Sequence, residues 1–441
     1  MLRFFVFCVA AMSTLAPVAA RAQLTPGAPG AVRGLFGGRP PAADRVTHES
    51  ALTFDLLGGY DDNQFSDVEP ESPAGAAQPQ GFGGTASGSL RYRVGRGQAF
   101  VQTAGIAFAS RQAGQRERLI GGDLQLVAAV PITRKIRLLG DARAAYEPAY
   151  LFNVFAPADD PSAAPPGAGP SQGQQRQRWL AVNTAAALSG DWSVRQRTNV
   201  GYSRSLRRPL NGAGNDSNSQ GAFALHTWNP KPSAGFDVSY SYDDNVQVSP
   251  SLLQRPVRFH TGAIGVQLTR RLSRARVLTL SARGGATRST VQAAADAQRR
   301  NFWSPTGSAA TRLGLTRAWD VGADVNRTVT VLEGLTPEPF VNNSASLNTA
   351  VRLGRRATVA LSGGRARGEA LVTRAGSFDS TVAGARLQYA PSGYFAFVTS
   401  YDYYSYSLLD VDSIVPGFPT NYNRHAVRVG FTLWLPLYGR F

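Results

Sequence analysis

Cysteine is all but missing from this chain of 441 residues: the one thiol is Cys8. That excludes an internal disulfide and any thiolate zinc site. Methionine occurs only at Met1 and Met12, and lysine only at Lys135 and Lys231. Beyond the N-terminal segment no run of apolar residues is long enough for a spanning helix. Acidic residues are the minority charge, 29 against 46 Lys and Arg, which gives a formal net charge of +17. The excess is therefore almost wholly arginine. It forms no basic helix and no recognised nucleic-acid motif, so nucleic acid is not an expected partner. Histidine is sparse and scattered, at His48, His226, His260 and His425. Barrel hydrolases need His gathered with Ser or Asp on a few strands; only His226 shares a segment with a candidate, Ser219. The many glycines form no phosphate loop. No catalytic residue, cofactor site or metal site is expected.

What is present starts with a short basic n-region, Met1 to Arg3, and an apolar stretch from Phe4 to Val18. Ala20-Arg21-Ala22 then offers a small-residue cleavage site before Gln23. Residues 1–22 read as a secretory signal peptide. Cys8 lies inside its apolar stretch and is not expected to carry lipid. Residues 23–50 are rich in Pro, Gly and Ala and read as a flexible periplasmic leader. The remaining residues, 51–441, read as one domain.

That domain is built on period-2 alternation, the mark of strands with unlike faces. Leu52, Phe54, Leu56 and Tyr60 alternate with small or polar residues, as do Leu90, Tyr92 and Val94 with Arg91 and Arg93. The rhythm predicts about 18 strands, mostly of a length that crosses a bilayer when tilted. Short connections such as 95–97, 190–191 and 354–356 alternate with longer ones such as 61–83, 148–177 and 406–422. An all-β, antiparallel transmembrane barrel does this, with short periplasmic turns and long extracellular loops. The even count places both chain ends in the periplasm and the protein in the cell outer membrane. All six Trp fall beside predicted strand ends, which predicts aromatic girdles facing the headgroups.

The last stretch, 423–441, with its predicted strand at 423–434, carries His425, Val427, Val429, Phe431, Leu433 and Leu435 on one face. Arg424, Arg428, Gly430 and Thr432 fall on the other. An amphipathic final strand ending at an aromatic resembles the signal read by the bacterial barrel assembly machinery. The resemblance implies that machinery as a partner and Phe431, Leu433, Leu435 and Phe441 as the residues read. The strand is expected to close the barrel against the segment Leu52 to Tyr60. Pro436 lacks a backbone donor, so regular pairing is expected to stop near Leu435, leaving 436–441 as a bent tail.

If the apolar register faces lipid, the other faces a lumen. It carries Arg91, Arg93, Arg137, Arg143, Arg195, Arg197, Arg283, Arg312, Arg352, Arg386, Arg424 and Arg428. Asp141 and Glu147 are the clearest acids there. Guanidinium groups in a low-dielectric wall concentrate anions and grip carboxylate or phosphate two-pronged. Loop 148–177 is the best candidate constriction by length. A repeat, Tyr60-Asp61-Asp62-Asn63 and Tyr242-Asp243-Asp244-Asn245, ends two of the segments. It reads as strand-to-turn chemistry, with Ca²⁺ ligation as the lesser alternative.

The first copy of that repeat, with Gln64 and Phe65 after it, resembles the opening of β-barrel porin families of Gram-negative bacteria. Some members of these lie beside exopolysaccharide secretion genes. The resemblance covers the chain in architecture and about ten residues in motif. It implies an outer-membrane porin; the arginine-rich lumen makes anionic solutes or acidic polysaccharide the expected cargo, and membrane lipid and lipopolysaccharide are the expected surroundings. The alternative is a non-conducting accessory barrel of an exopolysaccharide export system, with export proteins as partners.

Overall fold

The computed structural model describes residues 46–62, 81–96, 99–112, 118–150, 174–210, 216–249, 252–273, 275–292, 299–316, 318–332, 336–372, 376–409 and 420–438. The predicted signal peptide, most of the leader, the body of loop 148–177, Glu147's side chain and Phe441 lie outside these residues. The strands are β1 (Val46–Asp61), β2 (Gly81–Arg96), β3 (Ala99–Gln112), β4 (Arg118–Pro131), β5 (Ile136–Tyr150), β6 (Gln174–Ser193), β7 (Gln196–Pro209), β8 (Asp216–Lys231), β9 (Ala234–Ser249), β10 (Leu252–Arg271), β11 (Val277–Gln292), β12 (Arg299–Thr316), β13 (Trp319–Leu332), β14 (Thr336–Leu353), β15 (Ala357–Ala370), β16 (Ser377–Tyr389), β17 (Phe395–Leu409) and β18 (Asn421–Tyr438). They form one 18-stranded sheet in which β1 pairs with both β2 and β18. Every pairing is antiparallel, and the closure leaves no free edge.

The faces are inverted relative to a water-soluble protein. Phe54, Leu56 and Tyr60 are exposed, whereas Glu49, Asp55 and Asp61 on the opposite register of β1 are buried. The same holds on β18, where Val427, Val429 and Leu435 are exposed and Arg424 is 2% exposed. An apolar outer belt around a polar interior is stable only with hydrocarbon outside. This is the architecture of an outer-membrane β-barrel.

Several expectations are corrected. β1 starts at Val46, so Val46 to Ser50 belong to the sheet, paired with Arg96 to Tyr92. Strands also outrun their predicted lengths at the long-loop end, and the β9–β10 connection shrinks to 250–251. Apolar alternation stops at the headgroups, but backbone pairing does not need lipid to continue. β18 runs on to Tyr438, with Pro436 opposite Ala51 and a register shift after it. Regular pairing to β17 ends at Leu433, so Pro436 borders β1 alone and its missing donor opens no ladder on the other side. Trp192, Trp228, Trp303 and Trp319 are exposed as girdle residues, but Trp179 and Trp434 are buried. Strand parity puts these two on the inner register, whatever their height.

One sector departs from a plain cylinder. β10 and β14 are four strands apart, which on a flat sheet is roughly 19 Å, yet their Cα atoms come within 8 Å. The wall bends over itself there, and its inner face becomes a dry seam. Val257, Phe259, Val291 and Val331 cluster in it, with Phe302 and Val329 against them. A second inner cluster joins Phe340, Phe378, Tyr404, Tyr406, Leu408 and Tyr422 at the long-loop ends of β14 to β18.

Candidate pore-lining site

The β1–β18 seam carries the densest polar array of the inner wall. Arg424 donates from Nε and an Nη to the two oxygens of Asp61, at 3.0 and 2.6 Å. Four residues further along the strand, Arg428 donates to Asp402 at 2.9 Å and lies 3.6 Å from Asp61. Below that, Asp55 accepts from Thr432 at 2.5 Å and from Ser87 at 3.3 Å. Arg386 faces both Asp55 and Asp402, and its buried Nε donates to none of the described residues. Period-2 geometry explains the stack: positions 424, 428 and 432 share a face, as do 55 and 61.

Elsewhere the inner arginines are paired too. Asp191 is gripped by Arg137 at 2.7 Å and Arg197 at 2.5 Å. Arg143 bonds Asp123. Arg283 reaches from β11 across β10 to Asp237 on β9, with contacts of 2.9 and 2.5 Å. It passes over Gly265, where a Cβ would meet an Asp237 oxygen at 2.4 Å. Arg93 opposes Glu49 in register and lies over the Phe100 ring, 4.9 Å from its centre. Arg91 is different: it opposes Ala51 on one side and Ala104 on the other. Arg312 and Arg352 stand on the inner register and are exposed.

Arg195 departs from expectation. It sits with Val194 in the tight turn between β6 and β7, exposed, and lines no wall. The inner register holds more acids than Asp141 and Glu147. Asp61, Asp123, Asp191, Asp237 and Asp402 share the inner register with the arginines that they bond, and Asp55 lies on it bonded to Thr432 and Ser87. Parity was the signal: each has the opposite parity to its strand's exposed apolar residues.

The Tyr-Asp-Asp-Asn repeat is not a turn in its second copy. Residues 242–245 continue β9, and Asp244 pairs with Arg258 at 3.4 Å. In the first copy Asp62 accepts the His425 backbone N–H at 2.6 Å. Among the described residues no group of three or more His, Cys, Asp or Glu is placed to hold a metal ion. His226 bonds Thr198 at 3.0 Å on the outer face, while Ser219 falls on the inner register. That separates the one pair that could have suggested a hydrolase.

No protein-family model matches the chain. The curated proteins give no match either. Among solved structures, the chain is similar to OpdQ of Pseudomonas aeruginosa, at 11% identity and a TM-score of 0.45, over 89% of this chain and 98% of that one. It is also similar to OccAB2 of Acinetobacter baumannii, at 9% identity and a TM-score of 0.46, over 90% and 100%. A third likeness is to the FrpB iron transporter of Neisseria meningitidis, at 8% and 0.47, over 88% and 81%.

Proposed function

We propose that the protein is a porin-like diffusion channel for small polar solutes, with a preference for anions. The observation that carries the reading is Arg91. It lies on the inner wall between two alanines, with no ion pair among the described residues. A cation left over in a low-dielectric wall raises the local concentration of anions and offers a carboxylate or phosphate a two-pronged contact. Arg352, opposite Thr358, supplies a second such group on another part of the wall. Most other inner arginines are neutralised by aspartate, so the preference rests on a few residues rather than on a ring of charge.

Planar-bilayer recording tests this. Wild-type protein is expected to give stable conductance and a reversal potential, under a salt gradient, on the anion side. Arg91→Glu with Arg352→Glu should move that potential toward cations while leaving unitary conductance within about twofold. Absence of conductance in either polarity sinks the channel. Conductance with an unmoved potential sinks the role of these arginines.

A further inference from the structure

The outer face of β9 to β12 carries a layered arrangement. Register places Asp244, Arg258, Thr290 and Asn301 side by side across the four strands. This row is satisfied within itself: Arg258 pairs with Asp244, and Thr290 donates to Asn301 at 2.8 Å. Two residues nearer the short-turn end, the row is Tyr242, His260, Arg288 and Trp303. The next is Tyr240, Gly262, Ala286 and Pro305, and the next Val238, Ile264, Gly284 and Gly307. All are outward, since Val257, Phe259, Thr287, Ser289 and Ser304 between them are buried.

The second row is the unusual one. Arg288 stands directly opposite His260, so a guanidinium and an imidazole share one face of the wall. Asp244, the near carboxylate, is taken by Arg258. Among the described residues no ion pair engages Arg288, which is exposed beside Trp303, itself 70% exposed. The Tyr240 hydroxyl lies 2.8 Å from His260 Nδ1, which leaves Nε2 for another partner. Below this row the surface is smooth. A Cβ at Gly262 or Gly284 would meet nothing within 4 Å, and Ile264 forms an exposed wall.

We propose that this face is a binding site for one phosphorylated lipid of the surrounding leaflet. Its phosphate sits between Arg288 and His260, and an acyl chain lies along Gly262, Ala286, Gly284 and Gly307. Trp303 marks the headgroup level, where an outward arginine lies among lipid phosphates, and guanidinium grips phosphate two-pronged. A second copy of the chain fits less well, because a two-fold interface here would set Arg288 against Arg288. The barrel holds its own control. Tyr401, Tyr403 and His425 repeat the tyrosine–histidine geometry, with the hydroxyl 2.9 Å from His425 Nδ1. There Tyr403 is flanked by Ala383 and His425 by Asp62, so no arginine completes the site.

The test uses the full chain, purified in non-ionic detergent, with lipid retention read by native mass spectrometry. The probes are diphosphoryl lipid A, the same lipid stripped of phosphate, and inorganic phosphate. Wild type should retain one diphosphoryl lipid A. Arg288→Glu should cut retention about tenfold, the loss of one charge-assisted contact. Gly284→Leu should reduce it by filling the groove without touching charge, and Arg367→Glu, remote from the site, should leave it unchanged. Folding of each variant is read by heat-modifiable gel mobility; if Arg288→Glu does not fold, Arg288→Gln replaces it. Equal retention by wild type and both site variants overturns the proposal. So does equal binding of the phosphate-free lipid, or displacement by inorganic phosphate at the lipid's own concentration. If wild type is an oligomer that Gly284→Leu splits into monomers, a second copy covers the face and the lipid reading falls.

Discussion

At the residue scale, this barrel depends on charges that are buried in pairs. Arg424 is 2% exposed on its side chain and Asp61 12%, and each holds the other by two hydrogen bonds. Removing one partner strands the other away from water. Asp61→Ala should therefore destabilise the folded barrel by about 3 kcal/mol, the usual cost of breaking a buried pair. Urea denaturation of refolded protein in detergent would measure it, and an unchanged midpoint would refute the argument. Replacing both Asp61 and Arg424 with apolar residues of similar volume should cost much less, because no charge is orphaned. Gly265 makes a second prediction. Its missing Cβ is what lets Arg283 cross β10 to Asp237. Gly265→Val should push the carboxylate aside and lower the temperature at which the barrel loses its compact gel mobility. Asp237→Asn should lower it too, and the two changes together should be less than additive, since both act on one contact.

At the scale of elements, the seam between β1 and β18 decides whether the sheet closes. Their register runs from Ala51 opposite Pro436 to Asp61 opposite Ala426. Gly430 is one of two equally close approaches in it, with Gly59: a Cβ at Gly430 would lie 1.9 Å from the Leu56 carbonyl oxygen. Because the obstacle is backbone, no side-chain rotation relieves it. Gly430→Ala should lower the fraction of compact barrel on refolding, at a cost of about 1–3 kcal/mol typical of overpacking. Gly393→Ala, in a turn where the added carbon meets nothing within 4 Å, is the matched control and should refold normally. The strands themselves were legible in the sequence because each shows one apolar and one polar register, and that pattern survives any uncertainty about ends. Their ends were not legible. Pairing past the headgroups, as in Asp243 to Asn245 of β9, leaves no apolar alternation to read. The inner tyrosines Tyr404, Tyr406 and Tyr422 were also missed, because aromatic residues near strand ends suggest girdles until parity is applied.

On the scale of the whole molecule, the proposed anion preference is electrostatic and should respond to salt. The screening length falls from about 10 Å at 0.1 M to about 3 Å at 1 M. The anion bias of the reversal potential should therefore shrink as salt rises at a fixed gradient ratio, and a bias constant over that range would point to size rather than charge. What the sequence determined by itself was the alternation, the strand count, the face that meets lipid and the arginine-rich opposite face. These are properties of a period of two, and each strand carries them without knowing its neighbours. What only the tertiary structure decided was which charges remain available. Asp61 meets Arg424 across the closing seam, and Asp237 meets Arg283 across an intervening strand, through contacts set by register and sheet curvature. The same holds for the sector in which β10 approaches β14: its inner valines and phenylalanines are dry because the wall bends onto itself, and no local pattern encodes that bend.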